Sequence, residues 1–120
     1  MSITMNALDR ELAHFTGTAN YWKHGLTQYV YTDGVKHMAE YAQAYWLIDI
    51  VMSHQATPKV RNAEFQIWTL SVKDSAGFIT CKEDLNTPVL AKQKFDFTDF
   101  PEGEFKLYFT NGVLLLPSEY

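Results

Sequence analysis

The sequence predicts an α+β fold: an antiparallel β-meander of four to five strands, packed on one face by a long helix and a short N-terminal helix. Three observations predict it. Before about residue 55, apolar residues recur at helical spacing. After about residue 64 they alternate with polar ones, the period of a half-buried strand. Between the last two alternating runs stands Asn111-Gly112, a dipeptide suited to the positive φ that a type I′ turn needs at both central residues. Helices first and hairpin strands afterwards is the order of a two-layer α+β domain. The 120 residues are expected to form one domain, helical over about 1–55 and sheet over about 64–117.

The first helix is expected from about Asn6 to Phe15, with Asn6 as its cap, Leu8, Leu12 and Phe15 on one face, and Gly17 at a left-handed C-terminal position. Thr18 to Thr32 is rich in Tyr and Trp and suits extended chain, with a short strand around Gln28–Tyr31. The main helix starts at Thr32 or Asp33 and runs to about His54, with a break or kink near Gln43 because over twenty residues is long for a small domain. Gln55 to Ala63, with its Thr57-Pro58, reads as a loop. Strands follow. Trp68, Leu70 and Val72 point one way in Glu64–Lys73, and Asp74 to Gly77 is turn chemistry before a returning Phe78–Glu83. Ala91–Thr98 alternates around Ala91, Phe95 and Phe97. Glu104–Thr110 sets Phe105, Leu107 and Phe109 against Lys106, Tyr108 and Thr110, and Val113–Leu116 completes the last hairpin before Pro117.

Composition narrows function mainly by exclusion. Charged residues are 20% and hydrophobic ones 47%, which is globular and not disordered composition. The net charge of -4, without a basic stripe in the sequence, argues against general nucleic-acid binding and against anionic lipid. The single cysteine, Cys81, fits a reducing compartment, and its strand neighbours suggest a small buried residue. No signal-peptide pattern opens the chain, and its apolar runs are too short to span a bilayer, so a cytoplasmic location without membrane contact is expected.

Four residues are candidates for chemistry. Asp49 lies within the apolar arc of the main helix, between Met38, Ala42 and Trp46 on the wheel, and is expected to be buried. A carboxylate there is either a base with a raised pKa or a structural acid satisfied by neighbours. His54 stands at the helix end, where a protonated imidazole favours the dipole. Asp49 and His54 are five residues apart, about 500° of helical rotation, so a regular helix turns them to different faces. Asp33 and His37 are four apart and are expected to meet on one helical face as an ion pair. There is no nucleophile elbow, phosphate loop or dinucleotide fingerprint, so no cofactor is expected, and the histidines lack the cysteine partners of a structural zinc site.

Three segments resemble a family of small uncharacterised bacterial proteins of unknown function, met in cyanobacteria and other bacteria, some in mobile-element settings. They are Tyr31-Thr32-Asp33-Gly34-Val35-Lys36 with Met38-Ala39-Glu40; Ala44-Tyr45-Trp46-Leu47-Ile48-Asp49 with Ser53-His54-Gln55; and Thr98-Asp99-Phe100-Pro101, Lys106-Leu107-Tyr108 and the terminal Val113 to Tyr120. The resemblance implies no activity and assigns no functional residue. The sequence therefore points to a non-enzymatic, partner-binding or accessory domain of bacterial, phage or plasmid origin, its partner another protein or a second copy. The alternative is a small enzyme or ligand-binding domain with a polar cluster around Asp49 and His54, joined by Asp33 and His37.

Overall fold

The computed structural model describes residues 3–120. A seven-stranded sheet runs in the order β1-β2-β7-β6-β3-β4-β5. In chain order the strands are β1 (Tyr21–Lys23), β2 (Val30–Thr32), β3 (Phe65–Lys73), β4 (Ala76–Lys82), β5 (Val89–Phe95), β6 (Gly103–Thr110) and β7 (Val113–Leu115). The helices are α1 (Met5–Leu12), α2 (Asp33–Tyr41), α3 (Tyr45–His54) and α4 (Pro58–Arg61), and a 3-10 turn, Pro117–Glu119, closes the chain.

The C-terminal strands follow the alternation. Trp68, Leu70 and Val72 of β3 lie opposite Cys81, Ile79 and Gly77 of β4. On the other side Trp68 and Leu70 face Leu107 and Phe105 of β6. These side chains form one core with Leu8 and Leu12 of α1, Val35 and Met38 of α2, and Leu47, Ile48 and Val51 of α3. The helices therefore cover one face of the sheet. At roughly 1.5–3 kcal/mol for each large side chain removed from water, this shared layer is the main favourable term in folding. Asn111 and Gly112 both have positive φ (53° and 75°) in the β6–β7 hairpin, as its sequence requires.

Several expectations need correction. The sheet is not a four- to five-strand antiparallel meander: β1 and β2 extend it to seven, and β2 pairs in parallel with β7. The three-residue strands β1 and β2 are too short to show alternation. β2 falls near the short strand expected around Gln28–Tyr31, but its parallel partner β7 lies over eighty residues away, and β1 pairs with the neighbouring β2. The long helix is two helices. The break falls where expected, with Gln43 at φ 53°, and the Ala44 N–H turns back to the Ala39 carbonyl. Residues 55–63 are not wholly loop, because Pro58 opens the one-turn α4. The first helix is capped by Thr4, whose hydroxyl accepts from the Ala7 N–H, and not by Asn6. It ends at Leu12, and Gly17 is not left-handed. The strand around Phe95 stops there, and Phe97 is not an inward residue: it is 74% exposed.

Candidate functional site

The N-terminus of α2 gathers residues from three parts of the chain. The Thr32 hydroxyl accepts from the Val35 N–H at 3.3 Å and donates to Glu119 Oε1 at 2.6 Å. Glu119 Oε2 accepts from the Gly34 N–H at 3.1 Å, and Oε1 also takes the Leu116 N–H at 2.9 Å. A carboxylate on these free N–H groups matches the positive end of the helix dipole. Gly34 permits the approach: a Cβ there would stand 2.6 Å from Leu116 Cδ1 and 2.8 Å from Glu119 Cδ. Asp33 turns the other way. Its carboxylate accepts from the Trp22 indole N–H at 2.9 Å and from the Asn20 and Ala19 backbone N–H groups. The Trp22 bond, helped by those backbone donors and opposed in part by desolvation, holds the Asp33 carboxyl below its ordinary range. Lys36 sits 4.5 Å over the Trp22 ring.

Asp33 and His37 therefore do not pair. His37 Nε2 instead meets Glu11 of α1 at 2.7 Å, with both side chains over a third exposed. The two residues share a helix, but each is claimed by a different neighbouring element.

Asp49 is not buried. Its side chain is 65% exposed, and Oδ1 meets Nε2 of the nearly buried His24 at 2.8 Å. His24 Nδ1 lies 3.1 Å from Thr27 Oγ1, which accepts in turn from the Tyr29 N–H. Carboxylate, imidazole and hydroxyl thus form one chain between α3 and the β1–β2 loop. The wheel misplaced Asp49 because it treated α2 and α3 as one continuous helix. The turn at Gln43 resets the phase, so Asp49 leaves the arc that Leu47, Ile48 and Val51 share with the core. His54 lies elsewhere: its ring packs 5.5 Å from Trp68, and Nε2 meets Gln93 Oε1 at 3.1 Å. Asp49 and His54 do not form a cluster, and the imidazole beside Asp49, His24, was not singled out by the sequence.

The carboxylate–imidazole–hydroxyl chain could in principle move a proton. Its surroundings serve the loop instead. Lys23 Nζ donates to the Thr27 carbonyl at 2.9 Å and to the His24 carbonyl at 3.4 Å. Arg61, across the adjoining depression, donates to the Gln55 and Ala56 carbonyls. Both cations that could stabilise developing charge are thus engaged with backbone.

A different place is built for contact. Between α3 and the segment after β5 lies an apolar groove of about 350 Å³, lined by Trp46, Ile50, Phe95, Phe97, Thr98 and Asp99. Trp46 is held edge-on to Phe95 and to Phe100, so its position is fixed by the core. Phe97 is the groove's exposed ring. The groove adjoins β5, an edge strand of the sheet.

A model of a family of unknown function, DUF6876, matches residues 6–120. The chain belongs to that family. No curated protein and no solved structure matches it. Two of the three segments that carried the resemblance meet in space, since Glu119 of the terminal segment binds Thr32 and Gly34 of the first.

Cys81 is fully buried. Burial, with Glu83 nearby, pushes its thiol up to about 12. Among the described residues no three His, Cys, Asp or Glu side chains gather as a metal site, and no helix is long and apolar enough to cross a membrane.

Proposed function

We propose that the chain is a non-catalytic protein-binding module whose contact surface is the groove beside β5. The observation that carries this reading is the contrast between Phe97 and the rings around it. Phe95 and Phe100 both pack on Trp46, whereas Phe97 lies 74% exposed on the rim of an open apolar groove. A large ring left in water beside a groove is a ready anchor for a partner side chain. The adjoining edge strand adds unpaired backbone groups.

A photoreactive amino acid placed at position 97, with a control at the equally surface-placed Leu85, tests this in the cells that make the protein. A discrete crosslinked protein from position 97 and none from position 85 supports the reading. Equal, diffuse products from both positions contradict it.

A second reading rests on the Asp49–His24–Thr27 chain: a small hydrolase or transferase using Thr27 as its hydroxyl. Turnover by wild type that is lost in folded Asp49→Asn and His24→Gln variants would favour it over the binding module.

A further inference from the structure

The structure collects charge that the sequence scatters. Strands β3, β4, β5 and β6 contain five lysines, Lys73, Lys82, Lys92, Lys94 and Lys106, and a single carboxylate, Glu104. The register puts all of them on the sheet face that the helices leave open. Thr69 lies opposite Lys106 on one side and Thr80 on the other, and Thr80 lies opposite Lys92. In the next row Ser71 faces Glu104 and Phe78, and Phe78 faces Lys94. Glu104 stands 3.9 Å from Lys106. Lys92 and Lys94 are exposed, and among the described residues neither is ion-paired. The chain as a whole carries -4, so this face has the opposite sign to the molecule.

β5 is where this face meets the groove. Ala91, Gln93 and Phe95 lie on its helix side, as shown by Phe95 against Trp46 and Gln93 against His54. Lys92 and Lys94 lie on its open side. We infer that the partner segment at β5 is an extended strand with acidic residues at alternate positions and apolar residues between them. Added to the edge, such a strand pairs its backbone with β5. Every second side chain turns to the groove of Trp46, Ile50 and Phe97, and the others stand beside Lys92 and Lys94. Cross-strand pairs of opposite charge stabilise this register and pairs of like charge oppose it. The same lysines disfavour a second copy, whose own β5 would set lysine against lysine.

This inference rests on the proposed binding surface and names its partner's chemistry. The test uses the whole chain and two fluorescent octapeptides, one alternating Glu with Val and one alternating Lys with Val, measured by anisotropy at low salt. The Glu peptide should bind and the Lys peptide should not, and in the Lys92→Glu/Lys94→Glu variant the preference should reverse, a swing of about tenfold or more. The variant must keep the wild-type melting temperature, as surface changes of this kind should. Equal binding of both peptides, or a preference untouched by the charge reversal, overturns the inference. So does displacement of the Glu peptide by an equally charged single-stranded oligonucleotide, which would mean that the lysines read phosphate, and so does self-association of the wild-type chain that blocks the peptide. A specific crosslink from position 97 together with no charge preference would sink this inference and leave the binding module standing.

Discussion

The two faces of the sheet obey different rules. On the covered face polar groups are few and fully matched. Gln55 and Gln66, both buried, exchange amide hydrogen bonds at 2.8 and 2.9 Å. Gln66 Oε1 also takes the Trp68 indole N–H at 2.9 Å, and Gln66 Nε2 reaches the Val60 carbonyl at 2.8 Å. Among the described residues no buried side-chain N or O lacks a partner. The open face instead carries the lysines, with hydroxyls and the half-buried Phe65, Ile67, Phe78 and Tyr108 among them. One face specifies the fold because an unmatched group there is costly. The other is free to vary in charge at little cost to stability, which makes it available for recognition.

The largest effect should come from breaking the covered face. Gln66→Ala removes the partner of both Gln55 and Trp68 among buried groups and should lower stability by about 2–4 kcal/mol, read from urea unfolding. A loss under about 1 kcal/mol would mean that water replaces the amide.

The clasp at α2 is next. Glu119→Ala leaves the Gly34 and Leu116 N–H groups without the carboxylate and should cost about 1–2 kcal/mol. Glu40→Ala, which removes an exposed i,i+4 pair with Lys36, should cost less than about 0.5 kcal/mol. Equal losses in the two variants would show that the clasp is no more than a surface contact.

Acid should act through Asp33. Its folded pKa is depressed, so its contribution is present above the unfolded value and is lost as pH falls through the folded one. Wild type should therefore lose melting temperature on acidification below the ordinary carboxylate range more steeply than Asp33→Asn. Parallel acid limbs for the two proteins would remove Asp33 from the account.

Asp49 should matter less than its neighbours suggest. With a side chain 65% in solvent, its bond to His24 is screened, and Asp49→Ala should cost no more than about 1 kcal/mol. A loss above about 2 kcal/mol would mean that it is a buried acid after all.

How far the sequence reveals this molecule differs between its halves for a physical reason. The β3–β4 and β6–β7 hairpins pair neighbours, so the alternation of Trp68, Leu70 and Val72 and the Asn111-Gly112 turn are local and readable. Strands β1 and β2 are defined by pairing with each other and with β7, over eighty residues away from β2, and three-residue strands carry no period. Asp49 was misread because one residue, Gln43, breaks the helix and rotates everything after it. His24 sits in a turn-rich loop and acquires its carboxylate only through tertiary contact, a signal no spacing rule contains. Phe97 continues the alternation of Phe95 in sequence, yet β5 ends between them.

The account depends on that last difference: Phe95 belongs to the fold and Phe97 to a partner. The most direct measurement is the melting behaviour of Phe95→Ser beside Phe97→Ser. Phe95→Ser should lose about 2–4 kcal/mol with the packing on Trp46, and Phe97→Ser should stay within about 0.5 kcal/mol of wild type. A Phe97→Ser protein as destabilised as Phe95→Ser would make that ring part of the core and contradict the binding surface built on it.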